Sequence, residues 1–196
     1  MVTLEKYLSN LIAEKTIFLI SGDSSKKAIL AYGYELIITS CFGVILLVVC
    51  SLVSGIPLGW IPFLSGFAPL RTVAGGYHAS THTRCYLITT SVYCLCILII
   101  KYVEVLYYHL LTASLIVAAV VFLLSPVAAR NKPLTPKKRL KNRSLSLIFS
   151  LALVFFSVIL CLIRYSDYNI TLLFLGAVAA SGSLAAAKII DYFRKE

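Results

Sequence analysis

The sequence predicts an all-α polytopic membrane bundle, and three observations carry that expectation. The 196 residues are 60% hydrophobic and only 13% charged, where a soluble domain carries about a quarter charged residues. Mean hydropathy is +0.92. Several apolar runs also reach the roughly 20 residues needed to cross a hydrocarbon core of about 30 Å. They are continuous rather than alternating, which disfavours a β-barrel. The whole chain, 1–196, reads as one integral-membrane domain.

Residues 1–27 come first. Leu4, Leu8, Leu11, Ile12, Ile17 and Phe18 recur at helical spacing, with Glu5, Lys6, Glu14 and Lys15 between them. That pattern predicts an amphipathic helix lying at the membrane interface, or a cap packed over the bundle. The segment lacks the basic-then-apolar order and the small-residue cleavage site of a signal peptide. Six apolar segments then follow, at about 29–53, 56–70, 86–103, 108–129, 145–163 and 170–190. The second is short and broken by Pro57, Pro62, Pro69, Gly59 and Gly66. It predicts a kinked or partly re-entrant span, because irregular backbone survives at membrane depth only when protein covers it.

Six crossings place both ends of the chain on one side, and the basic residues sort accordingly. Sixteen of the eighteen Lys and Arg fall on that side; Lys101 and Arg164 fall on the other. The positive-inside rule makes the rich side cytoplasmic. Seven of the sixteen lie between Arg130 and Arg143, so residues 130–144 read as a basic cytoplasmic loop. Such a loop either touches anionic lipid or docks an acidic peptide. Nucleic acid is a poor partner, since no aromatic residues interleave with these cations.

Residues 71–85, RTVAGGYHASTHTRC, form a polar island between apolar runs. Of six cysteines, Cys41, Cys50, Cys94, Cys96 and Cys161 lie inside apolar segments, where a thiol behaves as a small hydrophobe. No CxxC occurs, which argues against a disulfide framework. Cys85 closes the island beside Arg84 and downstream of His78 and His82. A neighbouring cation favours the thiolate form, which makes Cys85 the candidate nucleophile.

A cysteine nucleophile needs a base that takes its proton and later delivers it to the leaving group. His82, three residues before Cys85, shares its face on a continuous helix. His78 lies seven residues away, about 10.5 Å along a straight helix axis, so direct contact needs a bend. Spacing alone ranks the two equally. A second chemistry is a metal-dependent membrane hydrolase, with His78, His82 and Cys85 as three ligands on one helical face. No Asp or Glu lies between residues 36 and 103, so a metal-bound water would lack a local carboxylate base. A third reading is a non-enzymatic peptide transporter with a polar path, for which Glu35 is the membrane-proximal acid of interest. There is no P-loop for self-contained ATP-driven export.

The pattern Arg71…Gly75-Gly76-x-His78-Ala79…Cys85, followed by Pro126 and Asn131-Lys132-Pro133-Leu134 leading into a basic stretch, resembles the AgrB (accessory gene regulator protein B) family. Chain length, six apolar segments and the amphipathic start extend the resemblance over essentially the whole chain. It implies a membrane cysteine endopeptidase that processes the precursor of a cyclic quorum-sensing peptide in the bacterial cell membrane. The family's dyad maps onto Cys85 as nucleophile and His78 as general base and acid, with His82 left as an accessory residue. Arg71, Gly75, Gly76 and Arg84 are the further accessory candidates, and no cofactor or metal is implied.

The implied substrate is an AgrD-like precursor with an acidic C-terminal tail. Lys132, Lys137, Lys138 and Arg139 are the candidate residues for holding that tail. The resemblance also implies a homodimer. The sequence departs from the family pattern at Ala128-Ala129, where an acid is expected after Pro126-Val127. Asn131 is then the candidate for orienting the histidine.

Overall fold

The computed structural model describes residues 4–20, 27–77, 81–127 and 135–193. Among them are seven helices and no strand. These are α1 (Leu4–Ile20), α2 (Lys27–Val53), α3 (Trp60–Ala74), α4 (His82–Tyr102), α5 (Tyr107–Leu124), α6 (Pro136–Ile163) and α7 (Tyr168–Phe193). Five of them, α2 and α4 to α7, are long and apolar enough to cross a membrane. The fold is the all-α membrane bundle that composition predicts.

The short, Pro- and Gly-rich second segment becomes α3. At 15 residues it rises about 22 Å, less than the hydrocarbon thickness, and it lies against α7 instead of standing alone. Two glycines make that contact close. A Cβ on Gly66 would collide with the carbonyl oxygen of Leu173, and one on Gly176 with that of Phe63. Small residues at a membrane helix crossing let backbones approach and gain dispersion energy where no hydrophobic driving force operates.

Two apolar clusters flank this α3–α7 pair. Leu70, Val117, Leu153, Phe174 and Ala177 join α3, α5, α6 and α7. Leu47, Phe63, Tyr93 and Leu172 join α2, α3, α4 and α7. α7 therefore sits at the centre, while α2, α4, α5 and α6 keep broad apolar faces outward.

Serine hydroxyls link the spans: Ser114 with Ser157 and Ser125 with Ser146, each at 2.7 Å, and Ser51 with Tyr93 at 2.5 Å. Each such bond contributes about 0.6 to 2 kcal/mol in a bilayer.

α1 packs on α2 through Thr16 and Tyr34, 3.0 Å apart, and through the exposed Lys27–Glu14 pair at 3.1 Å. Phe18 and Leu19 point outward, and Ala13 is enclosed.

Candidate active site

The last turn of α3 carries Arg71, and two glycines then turn the chain. Gly75 has φ +84° and Gly76 φ +147°, backbone conformations that residues with a Cβ rarely adopt. Space makes the same demand. A Cβ on Gly75 would strike the carbonyl oxygen of Val127, whose N–H donates to Ala74 O at 2.9 Å. A Cβ on Gly76 would strike the Arg71 guanidinium and Ser183 Oγ.

The turn delivers Tyr77 to α7, where its N–H donates to Ser183 O at 2.9 Å. Arg71 closes the loop on itself. Its Nη2 donates to the Tyr77 carbonyl and its Nη1 to Ser183 Oγ at 3.3 Å. A half-buried guanidinium is thus fixed by partners from two segments, with its planar donor fork fully directed.

Cys85 meets this arrangement from α4. Thr81 caps that helix in an extended conformation (φ −132°, ψ 149°), its side chain accepting from the Arg84 N–H at 3.3 Å. Cys85 lies in the first helical turn, its N–H donating to Thr81 O at 3.2 Å. The N-terminal end of a helix favours negative charge, and so favours a thiolate. Arg71, Tyr77, Cys85, Thr89 and Ser183 share the walls of a cavity of about 60 Å³, roughly two water volumes.

The structure brings part of the sequence-derived set together. Arg71, Gly75, Gly76 and Cys85 come together at one end of the bundle. Arg84 is exposed and does not line the cavity. His82 opens α4, three residues before Cys85, but its side chain falls outside what the structure describes, as does His78 entirely.

The three-ligand metal reading needed an unbroken helix from His78 to Cys85. The extended Thr81 interrupts it, since α4 begins only at His82. Tyr77, Thr89 and Ser183 were not singled out by sequence. Ser183 had one faint signal, the Ser181-Gly182-Ser183 interruption in an otherwise apolar segment.

The basic stretch also differs from expectation. Only Thr135 precedes α6 among its described residues, and the first two turns of α6 hold Lys137, Lys138 and Arg139, all exposed. Asn131 and Lys132 lie outside the described residues. The physical reason is a helix start: Thr135 caps by accepting the Lys138 N–H, and Pro136 occupies a first-turn position.

A helical membrane protein with a thiol and a guanidinium enclosed at its basic end is the class that these features define. The chain belongs to the accessory gene regulator B family, whose family model matches residues 5–184. It is similar to AgrB-like protein 2 of Clostridium perfringens strain 13, 29% identical over 170 residues, covering 83% of this chain and 78% of that one. A second AgrB-like protein, from Clostridium perfringens strain SM101, is 26% identical over 171 residues with the same coverage. No solved structure matches the chain. Membership implies a bacterial membrane protein with a role in agr quorum-sensing peptide processing, acting on an AgrD-like precursor.

Proposed function

We propose that the chain is a membrane cysteine endopeptidase that releases the C-terminal tail of its precursor and promotes closure of the remaining segment into a ring. The observation that carries this reading is the enclosure of Cys85 with Arg71 in one small cavity at the start of α4.

In this reading His78, which follows Tyr77 directly in sequence, takes the Cys85 proton. The sulfur attacks a precursor carbonyl, forming an S–C bond, and the scissile C–N bond breaks. The departing amine receives the proton from His78, and the signal segment stays on Cys85 as a thioester. An internal Cys or Ser of the precursor attacks that thioester, forming the ring, while the proton returns to Cys85 through His78. Ring closure must outrun hydrolysis, which requires water exclusion and a nucleophile held close. The apolar walls beside Cys85, formed by Phe67, Ile88 and Val92, support the first condition. Arg71 sits where it can stabilise negative charge on sulfur or on the tetrahedral oxygen.

The acidic tail is held by the basic stretch, with Lys132, Lys137, Lys138 and Arg139 as its contacts. Both chain ends and this site lie on the cytoplasmic side by the distribution of Lys and Arg. The test is precursor cleavage in proteoliposomes by Cys85→Ala, His78→Ala and His82→Ala. We expect Cys85→Ala and His78→Ala to abolish cleavage. Retention in His78→Ala with loss in His82→Ala would reverse the assignment of the base.

A further inference from the structure

A second cavity, of about 340 Å³, opens at the same end of the bundle between the end of α5, the start of α6 and the end of α7. That is roughly eleven water volumes, far larger than the space at Cys85. Three cations line it: Arg139 and Arg143, one helical turn apart on α6, and Lys188 on α7. No acid is among its lining residues.

The rest of the wall is apolar. Leu123 and Leu140 are 74% and 69% exposed, on surfaces that face lipid in a bilayer. A second, mainly apolar groove of about 450 Å³ continues from it, sharing Leu124 and Lys188. Ile189, Tyr192 and Phe193 of α7 line that groove, with Asp191 as its acid.

We infer that this pair of spaces is a specific site for an anionic phospholipid of the cytoplasmic leaflet. The phosphodiester sits between Arg143 and Lys188, the cavity cations that the tail reading does not use, and an acyl chain lies along Leu124, Ile189 and Phe193. Charge complementarity selects an anion. The contiguous groove is mainly apolar, which favours the acyl chain of an amphiphile over the carboxylates of an acidic peptide. Pro126 belongs to the cavity wall, and Val127, next in the chain, bonds Ala74 beside the glycine turn. The lipid therefore braces the backbone that supports Gly75. This inference does not depend on the peptidase reading.

The test is native mass spectrometry of the full-length, delipidated protein in detergent. It is titrated with phosphatidylglycerol or phosphatidylcholine of identical acyl chains. We expect retention of phosphatidylglycerol over phosphatidylcholine, weakened roughly 10- to 30-fold by Arg143→Gln with Lys188→Gln. Lys137→Gln with Lys138→Gln, which removes the same charge outside the cavity, should leave it unchanged. Arg143→Lys with Lys188→Arg should restore it, which separates lost charge from misfolding. Equal retention of both lipids by the unaltered protein would overturn the inference. So would equal weakening by the two Gln pairs, which would indicate only diffuse attraction. A soluble hexaglutamate peptide that displaces bound phosphatidylglycerol, and whose own binding requires Arg143 and Lys188, would overturn it in favour of a peptide site.

Discussion

The Arg71 guanidinium donates to Ser183 Oγ at 3.3 Å, tying the end of α3 to α7 across 112 residues of sequence. Its other arm holds the Tyr77 carbonyl, so a single side chain fixes both the glycine turn and the wall of the Cys85 cavity. Arg71→Lys keeps the charge but loses the directed fork. We expect cleavage to fall about tenfold in Arg71→Lys, and by about 10²–10³ in Arg71→Gln, where the charge is lost too. Single-turnover rates on the precursor, with binding measured separately, distinguish a loss at the chemical step from a loss of affinity.

Gly76→Ala places a methyl group against Arg71 and Ser183 at a φ of +147°. We expect more than a hundredfold loss of cleavage, because displacement of a catalytic wall by about 1 Å costs this much, together with a lower melting temperature from the strained backbone. Ser183→Ala in the same background relieves one of the two collisions and should recover part of the activity. Equal activity of Gly76→Ala and the unaltered protein would separate the turn from the site.

Much of this arrangement was legible in sequence because its signals are local. Apolar run length fixes the spans, and the paired glycines beside Arg71 and Cys85 mark the site. Ser183 was not legible, since a serine in a small-residue helix looks the same whether it packs or accepts a bond from a distant arginine. Charge makes residues 130–144 read as a loop, although Thr135-Pro136 is a helix-start signal. Arg143 and Lys188 counted toward the cytoplasmic side, yet only the fold brings them to one cavity.

The α3–α7 crossing gives a prediction about stability rather than chemistry. Gly66→Ala and Gly176→Ala each drive a methyl into a backbone carbonyl, of Leu173 and Phe63 respectively. Overpacking with no room to relax costs about 3 kcal/mol, so each variant should melt several degrees lower in detergent. Gly33→Ala, with open space around it, is the control and should remain within experimental error.

Cys50 and Cys94 face one another across α2 and α4, their sulfurs 3.6 Å apart, yet neither lines the Cys85 cavity. The double variant Cys50→Ala with Cys94→Ala should keep cleavage within about twofold, as expected for thiols that only pack. Precursor processing by this variant, assayed beside the unaltered protein, checks that Cys85 alone carries the chemistry.

The most direct measurement is intact-protein mass spectrometry of the protein mixed with its precursor and quenched in acid. The expected result is an adduct with the mass of the tail-less signal segment less one water, attached at Cys85, released by hydroxylamine and absent from Cys85→Ala. Full precursor cleavage by Cys85→Ala, with no hydroxylamine-labile adduct on the unaltered protein, would contradict the thiol mechanism.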